Sequence, residues 1–346
     1  MLSVDPYLQT IIAFAVAFIL SVIAGKFIIP ALQKLHMGQQ ILTKDGPAWH
    51  ASKQGTPTMG GFIFIIAVVI AYFVVAFPYY TKGSDKVFSD IPFPTGTLTG
   101  LVVALLFGLM GFLDDFVKVV KKRNLGLTAI QKIIIQIIIA AAYLVFIGIQ
   151  NGGDTRMLIP FTDIWIDFGY FYYVIALILI VGFTNAVNLT DGVDGLAGSV
   201  TVPVSLFFTV AALSGGALNQ IQTETAILSI ALCGALLGFL VYNWHPAKTF
   251  MGDTGSMFLG GIVVVLAFQI KIPLILIVVG FIYLVEALSV MIQVTYFKLT
   301  HGKRLFKMTP IHHSFELSGY SESKICMLFT SVTVILVAIT CVWILL

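Results

Sequence analysis

The sequence predicts an all-α integral membrane protein: a polytopic bundle of about ten transmembrane helices with both termini outside. Of its 346 residues, 59% are hydrophobic and 10% are charged, whereas about 25% of residues are charged in a typical soluble domain. The apolar residues form long separate blocks, each close to the ~20 residues that a helix needs to cross ~30 Å of hydrocarbon. Alternating β-barrel segments are missing, so backbone hydrogen bonding in lipid leaves helices as the remaining structure.

The predicted spans follow one another along the chain without a soluble insertion, so we expect 1–346 to form one transmembrane domain. The ten blocks are 10–29, 59–77, 98–113, 128–149, 168–186, 199–213, 225–242, 257–270, 273–297 and 325–346. The first block is preceded by Asp5 and lacks a basic n-region, so we expect it to be retained rather than cleaved as a signal peptide. Cys233, Cys326 and Cys341 have no paired spacing, which favours packing over a disulfide or a zinc site.

Basic residues are concentrated in every second connection between the blocks. The first, third and ninth connections contain Lys34, Lys44, Lys53, Lys118, Lys121, Lys122, Arg123, Lys298, Lys303, Arg304 and Lys307. The even-numbered connections contain only Lys82, Lys86, Arg156 and Lys271. By the positive-inside rule, the odd connections are cytoplasmic and both termini face outward.

Acidic residues stand among these cytoplasmic lysines, at the ends of predicted helices. They are Asp114, Asp115, Asp191, Asp194 and Asp253. Carboxylates at the edge of the hydrocarbon are costly unless they are paired, hydrated or bound to metal, so the sequence predicts a functional site on this side.

The third span ends in GFLDDFVKVVKKRN. Helical spacing puts Asp114 and Lys118 on one face, while Asp115 points about 100° away, so each acid can meet a different group. A solvated helix end with a salt bridge is an equally good interpretation of this motif alone.

The fifth span runs into NAVNLTDGVDGLAGS. Its spacing of three predicts that four oxygen-bearing side chains share one face, those of Asn185, Asn188, Asp191 and Asp194. The alternative is a capped loop, in which Thr190 or Asp194 is the N-cap of the next helix.

The seventh connection reads NWHPAKTFMGDTGSMFLGG. Asp253 stands at the start of the eighth span, where exposed N–H groups and the helix dipole favour a phosphate. A plain N-cap is the competing interpretation of Asp253, although it does not explain the neighbouring Lys248 and Phe250.

The ninth connection, KRLFKMTPIHHSFE, brings Arg304 and other bases close to His312 and His313. Adjacent histidines on a helix cannot easily ligate one ion, so contact with an anion fits better than a metal. A basic patch facing lipid headgroups would explain the lysines but not the histidines.

Two further features of the sequence are weaker indications of a functional site. In KQGTPTMGGF, the glycine pair Gly60 and Gly61 more often serves close helix packing than ligand binding. Glu286 and Gln293 share a face of the ninth span. We expect Glu286 to form an interhelical hydrogen bond, and Gln293 to lie near enough to the cytoplasmic end to reach a substrate.

Together, GTPTMGG, GFLDD, NAVNLTDGVDGLA, NWHPAKTFMGDTGS and KRLFKMTPIHHSFE resemble the phospho-N-acetylmuramoyl-pentapeptide-transferase family, within the polyprenyl-phosphate N-acetylhexosamine-1-phosphate transferase superfamily. The resemblance runs from Lys53 to Glu316 in consistent order. It implies a catalytic domain that transfers phospho-N-acetylmuramoyl-pentapeptide from UDP-MurNAc-pentapeptide to undecaprenyl phosphate, giving lipid I and UMP. It also implies Mg²⁺, a homodimer and a cytoplasmic-face active site in the bacterial plasma membrane. We expect no nucleic-acid partner.

The resemblance also implies roles for individual residues. The expected catalytic residues are Asp114, Asp115, Asp253, His312 and His313. The expected metal ligands are Asp253 and Asp191. The expected substrate-binding residues are Lys53, Thr58, Lys118, Lys132, Asn188, Asp191, Asp194, Asn243, Phe250, Gln293 and Arg304, with Phe250 suited to stacking on uracil. The sequence departs from the family at Ser314, where a third consecutive histidine is usual.

Three other functions compete with this one. A related transferase would use a simpler UDP-N-acetylhexosamine, although the basic KRLFKM segment favours the muramoyl branch. A secondary transporter would place its site near the bilayer midplane, whereas these acids crowd one surface. A structural scaffold would not require clustered acids opposite clustered bases. Two chemical routes also remain, direct attack by polyprenyl phosphate or a covalent aspartyl intermediate, and we favour direct attack.

Overall fold

The computed structural model describes residues 5–35, 53–81, 96–121, 126–214 and 220–346. Its long helices are α1 (Pro6–Lys34), α2 (Gly61–Thr81), α3 (Gly96–Val120), α4 (Ala129–Gln150), α5 (Phe171–Thr190), α6 (Leu196–Ser214), α7 (Gln220–Asn243), α8 (Gly252–Gln269), α10 (Phe281–Leu299) and α12 (Glu322–Leu345). Two short helices complete the set, α9 (Leu276–Val279) and α11 (Ile311–Glu316). Within the described ranges, nine helices are long and apolar enough to span a membrane, and the apolar part of α2 adds a shorter one. The predicted all-α polytopic fold is confirmed.

Some of the basic residues behind the orientation lie outside the described residues. They are Lys44, Lys82, Lys86, Lys122 and Arg123. The assignment of the two faces therefore stays a prediction.

The outer helices present apolar side chains to their surroundings. On α4, Ile130, Ile134 and Ile138 recur every four residues and are 71%, 52% and 62% exposed. Such a row would be unfavourable in water, where each square ångström of apolar area costs about 25 cal/mol. It therefore marks a lipid-facing side of the helix.

Helix α8 is the enclosed centre of the bundle and packs against α2, α3 and α5. Its neighbours approach through glycine. A Cβ on Gly61 would lie 2.4 Å from Cα of Gly255, and a Cβ on Gly111 would lie 2.0 Å from the carbonyl oxygen of Asp253. Small residues allow backbones in a membrane to approach this closely. The packing interpretation of the glycine pair before α2 is thus supported, and α8 is held where α3 ends.

The predicted span 273–297 is not one helix. It begins with a 3₁₀ turn (Pro273–Ile275), continues as α9 and bends at Gly280 before α10. A Cβ on Gly280 would lie 2.5 Å from the carbonyl oxygen of Leu276 and 2.8 Å from the ring of Phe183, so the bend requires glycine. The sequence hides this break because residues 273–285 are apolar on both sides of Gly280.

A two-stranded antiparallel hairpin, which the sequence did not predict, joins α4 to α5. Strand β1 (Arg156–Leu158) pairs with β2 (Trp165–Asp167), and Met157 lies opposite Ile166. The ring centroid of Phe161 lies 5.3 Å from that of Trp343, near the end of α12. Strands of three residues are too short to show a periodic pattern. The hairpin lies at the end of the bundle opposite the acidic residues.

The orientation can be tested at these two ends. We expect a cysteine at Lys121 to react with an impermeant thiol reagent only from the cytoplasmic side, and one at Asp154 only from outside. Both positions are solvent-exposed, whereas Cys233 and Cys326 are buried, so a Cys341→Ser background limits the unwanted labelling. The measurement is labelling of intact cells and of inverted vesicles. The reverse pattern would place the acids outside and contradict the positive-inside prediction.

Candidate active site

The two acids at the end of α3, Asp114 and Asp115, contact different parts of the protein. Asp114 is fully buried, and its Oδ2 lies 2.6 Å from Nζ of Lys118, as the helical spacing predicted. Its Oδ1 accepts a hydrogen bond from the backbone N–H of Leu127 at 2.7 Å. Asp115 turns instead towards α8, where its Oδ2 accepts from the backbone N–H and the hydroxyl of Thr254 at 2.9 and 2.8 Å. The pair therefore ties α3 both to the α4 entry and to α8.

Asp253 is the second residue of α8 and not its N-cap. The cap position belongs to Met251, which makes no side-chain capping bond. Oδ2 of Asp253 lies 2.8 Å from Nζ of Lys118 and 3.0 Å from Nζ of Lys132, while Oδ1 accepts from the amide of Asn188 at 3.0 Å. The plain N-cap interpretation is wrong, because the carboxylate faces the other charged groups.

Lys132, near the start of α4, completes this cluster by also contacting Oδ2 of Asp114 at 2.9 Å. Among the described residues, Asp114, Asp115 and Asp253 offer carboxylate oxygens within 4.8 Å of one another, a group that could hold a metal ion. Hard cations such as Mg²⁺ prefer oxygen ligands of this kind.

The Asn/Asp run at the end of α5 does not converge on one site, which corrects the expected shared face. The amides of Asn185 and Gln136 bond to each other at 2.7 and 3.2 Å, while Asn188 reaches Asp253. Asp191 is half-buried at the end of α5. Its lost hydration and the negative charges of Asp253 and then Asp115 raise its pKa well above the ordinary value. The chain leaves helical geometry after Thr190, so the spacing of three no longer stacks side chains.

Asp194 instead belongs to a second cluster. Its Oδ1 lies 2.7 Å from Nζ of Lys53, and its Oδ2 lies 3.0 Å from Nδ1 of His245. Glu322, the first residue of α12, contacts the same lysine at 2.6 Å and accepts from the backbone N–H of Asp194 at 2.9 Å. Asp194, His245 and Glu322 could also hold a cation, although Lys53 already neutralises one of the two carboxylates.

The expected uracil-stacking residue lies beside this second cluster. Nζ of Lys53 is 5.9 Å from the ring centroid of Phe250. Asn243 accepts from the backbone N–H of Gly195 at 3.1 Å and donates to the carbonyl of Thr249 at 2.9 Å. Asn243 thus links the turn after Asp194 to the segment that carries Phe250. An aromatic ring next to a lysine offers a surface for a base and a charge for a phosphate.

Thr58 lies between the two clusters, at the entry to α2. A Cβ on Gly252 would be 2.6 Å from Oγ1 of Thr58 and 2.5 Å from Oδ2 of Asp115, and Gly252 itself has a φ of +67°. Only glycine adopts this conformation in this space without strain. Gly252, the first residue of α8, therefore lets the start of this helix approach both Thr58 and Asp115.

The two histidines of α11 face different partners. Nδ1 of His312 lies 3.0 Å from Oε2 of Glu286, and Nδ1 of His313 lies 2.6 Å from Oε2 of Glu316. The expected interhelical bond of Glu286 is therefore present. Ser314, in the position of the family's third histidine, donates to the carbonyl of Met308 at 2.6 Å and accepts from its N–H at 3.1 Å. A serine here fastens the loop before α11.

Two expected substrate-binding residues belong to α10 and the loop that follows it. Oε1 of Gln293 accepts from the backbone N–H groups of Leu305 and Phe306, both at 3.0 Å, so it supports the loop after α10. Arg304 is exposed in that loop. Their contact with substrate stays a prediction.

Sequence reasoning missed Glu322, His245 and Gln136. His245 stands inside the NWHPAKTF motif and could have been named from it. Glu322 reads as an ordinary acid in the first turn of α12, and Gln136 as a polar residue within an apolar span. Only the packing of distant helices gives these side chains their partners.

Lysines, carboxylates and histidines thus surround one end of the bundle where helices begin and end. Among the described residues, the carboxylates of Asp114, Asp115 and Asp253 lie with the two lysines Lys118 and Lys132, and Asp191 lies close enough for the charges of Asp253 and Asp115 to raise its pKa. A divalent cation would find hard oxygen ligands in this cluster, and the cation and the lysines together could hold a diphosphate. The fold and the site define a polytopic membrane protein built to handle phosphates at the membrane surface.

Comparison with known proteins gives the same class. The glycosyl transferase family 4 model matches residues 97–271. A phospho-N-acetylmuramoyl-pentapeptide-transferase signature matches residues 53–65, which include Lys53 and Thr58.

Curated relatives define the family more narrowly. The chain is 46% identical over 324 residues to phospho-N-acetylmuramoyl-pentapeptide-transferase of Clostridium botulinum (strain Alaska E43 / Type E3), covering 94% of this chain and 93% of the relative. It is 44% identical to the Bacillus subtilis (strain 168) protein of the same name, covering 93% and 94%. The Listeria monocytogenes protein is 43% identical, covering 91% and 92%. The chain belongs to the phospho-N-acetylmuramoyl-pentapeptide-transferase family.

Proposed function

We propose that this chain transfers phospho-N-acetylmuramoyl-pentapeptide from UDP-MurNAc-pentapeptide to undecaprenyl phosphate, giving lipid I and UMP for peptidoglycan biosynthesis. The observation that carries the proposal is the convergence of Asp114, Asp115 and Asp253 with Lys118 and Lys132 at one end of the bundle. Both substrates are phosphates, and the acceptor is anchored in lipid. A charged site beside the hydrocarbon is where the two can meet.

The division of the site into two clusters suggests how the donor is held. The Lys53, Asp194 and Asn243 cluster, with Phe250, would bind the uridine end. The Asp114, Asp115 and Asp253 cluster would receive the diphosphate, with Lys118 and Lys132 contacting its oxygens. His313 and the exposed Arg304 lie on the segment that would cover the sugar and peptide.

The acidic cluster fits Mg²⁺, because its donors are hard carboxylate oxygens that lie close together. We propose Asp253 and Asp191 as ligands, with Asp115 near enough to contribute. When bound, Mg²⁺ would neutralise charge on the diphosphate. The protein's own side chains would orient the two phosphates and exclude water, which are the main tasks in phosphoryl transfer.

The reaction proceeds by direct attack. An oxygen of the acceptor phosphate bonds to the sugar-bearing phosphorus while the bond from that phosphorus to the bridging oxygen breaks, and UMP leaves. The second pKa of the acceptor phosphate is about 6, so the acceptor is mostly dianionic at neutral pH. Both oxygens of Asp114 are already engaged, by Leu127 and by the two lysines. This favours a role in orienting the acceptor, or in taking its residual proton, over nucleophilic attack.

Direct attack makes a specific prediction for the half reaction. Enzyme mixed with UDP-MurNAc-pentapeptide and Mg²⁺, without lipid acceptor, should release no burst of UMP in a rapid-quench assay. A covalent intermediate would instead release one UMP per site. A burst that disappears in Asp114→Asn would contradict direct attack.

The proposed location is the bacterial plasma membrane, with the site on its cytoplasmic face, where a UDP-sugar is available. The charge asymmetry of the loops supports this orientation. A homodimer is part of the proposal on the family resemblance alone.

Donor competition tests the substrate. We expect purified protein with undecaprenyl phosphate and Mg²⁺ to turn over UDP-MurNAc-pentapeptide, and UDP-N-acetylglucosamine to be neither a substrate nor an effective competitor. Turnover of UDP-N-acetylglucosamine in its place would assign the chain to a related transferase. Transport of the donor into proteoliposomes without UMP release would favour the secondary transporter.

A further inference from the structure

Glu286 and His312 form a buried pair, and the reaction steps proposed above involve neither side chain. Glu286 lies in the membrane helix α10 and His312 in α11, and both side chains are 0% exposed. Oε2 of Glu286 and Nδ1 of His312 are 3.0 Å apart, a hydrogen-bond distance.

The other nitrogen of His312 points at the turn that follows Asp191. A Cβ on Gly192 would lie only 2.2 Å from Nε2, so glycine is the residue that leaves room for the ring. Within the described part of the chain, Nε2 is buried and has no hydrogen-bond partner. A buried polar atom of this kind is costly and calls for a functional explanation. It is aimed at the turn that carries a proposed metal ligand.

The overall charge of the Glu286–His312 pair determines whether Nε2 carries a hydrogen. An isolated charge in such a buried place is strongly unfavourable, so the pair should be neutral as a whole. Glu286 Oε1 is buried and has no hydrogen-bond partner among the described residues, so a proton on that atom would be an unpaired buried donor. With no proton on Oε1, two neutral arrangements place a proton between Oε2 and Nδ1. One is a carboxylate with an imidazolium, and the other is a carboxylic acid donating to a neutral imidazole. In both arrangements Nε2 carries a hydrogen.

We propose that Glu286 is a positioning residue that keeps a hydrogen on Nε2 of His312. His312 then acts as a hydrogen-bond donor to substrate phosphates that bind beside the turn after Asp191. This inference rests on the proposed function, because the acceptor is the anionic substrate. It assigns His312 neither the role of a base nor that of a metal ligand. A donor aimed at developing charge raises kcat more than it lowers KM.

Removal of the carboxylate tests the role of Glu286. Glu286→Met keeps a similar volume, and we expect kcat to fall about 10- to 100-fold, the range found when the partner that orients a metal-binding histidine is removed. KM for UDP-MurNAc-pentapeptide should change less than kcat. Glu286→Gln keeps a hydrogen bond to Nδ1 and should recover part of the loss. It also keeps the test usable if Glu286→Met folds poorly.

Glu224→Met is the matched control. Glu224 is also 0% exposed in a membrane helix, but it accepts from Tyr72 at 3.0 Å at the opposite end of the bundle. It should lose stability in a thermal assay without a comparable loss of kcat. Equal kcat losses in the two variants would reduce Glu286 to a structural residue.

A double-mutant cycle separates a role through His312 from general packing. In a His312→Gln background, Glu286→Met should cause little further loss of kcat, because the residue through which it acts is gone. Fully additive losses would overturn the proposal.

A measurement that does not depend on turnover can test this proposal separately from the proposed function. With ¹⁵N-histidine labelling in detergent, and the His312 signals assigned from their loss in His312→Gln, Nε2 should be protonated in the wild type. In Glu286→Met it should exchange between protonated and unprotonated forms. An unprotonated Nε2 in the wild type would contradict the inference even if lipid I is made. Failure to make lipid I, with the expected spectrum, would contradict only the assigned reaction and acceptor.

Discussion

Replacing Asp253 by asparagine is expected to lower turnover by at least about 100-fold, in the range seen when one group that stabilises transition-state charge is removed. The change keeps size and hydrogen-bonding capacity but removes the charge that faces Lys118 and Lys132. The proposed metal site loses a hard anionic ligand, so the Mg²⁺ midpoint should also rise. The measurement is UMP release by detergent-purified protein against Mg²⁺ concentration.

The control for this variant is Asp163→Asn, the same chemical change at an exposed position in the hairpin loop. It should leave turnover and the Mg²⁺ midpoint unchanged. A thermal unfolding assay of both variants separates a lost ligand from a lost fold. Near-wild-type turnover of Asp253→Asn with an unchanged midpoint would remove Asp253 from the metal site and leave Asp114, Asp115 and Asp191 as the candidates.

Gly111→Ala is expected to destabilise the bundle and abolish most of the activity without altering any charged residue. The new Cβ would lie 2.0 Å from the carbonyl oxygen of Asp253 and 2.5 Å from its carbonyl carbon, and backbone atoms cannot rotate away. Overpacking of this kind costs roughly 1–3 kcal/mol. Helix α3 must also move away from α8, which separates Asp114 and Asp115 from Asp253. We expect more than a tenfold loss of kcat, since misplacement by about 1 Å can cost 100-fold.

Gly182→Ala provides the comparison, because a Cβ on Gly182 meets nothing within 4 Å. Both substitutions raise helix propensity by up to about 1 kcal/mol, so the difference between them isolates the α3–α8 contact. The pair is compared by thermal stability and by kcat. A Gly111→Ala protein as stable and active as Gly182→Ala would show that the close approach of α3 and α8 is not needed.

The sequence predicted the helical elements because hydrophobic blocks of membrane length leave few alternatives to helices. It missed the bend at Gly280 and the hairpin at 156–167, since an apolar run does not mark a break and three-residue strands have no period. These features depend on contacts between distant segments, such as Gly280 with Phe183 and Phe161 with Trp343.

The sequence predicted only part of the site, and the missing part has a similar physical reason. Helical spacing correctly paired Asp114 with Lys118, because both lie on continuous helix. The same spacing failed for Asp194, where the helix ends first and the chain turns towards Lys53. The contact between Glu322 and His245 could not be predicted from local pattern, because it depends on the packing of α12 against the loop before α8.

The most direct test of the account is the product made by the purified wild-type protein. Given UDP-MurNAc-pentapeptide, undecaprenyl phosphate and Mg²⁺, it should form lipid I and release UMP in equal amounts, as followed by mass spectrometry. Omission of the lipid acceptor or chelation of the metal should stop both products. UMP release that continues without acceptor, or the absence of lipid I with every component present, would contradict the assigned reaction.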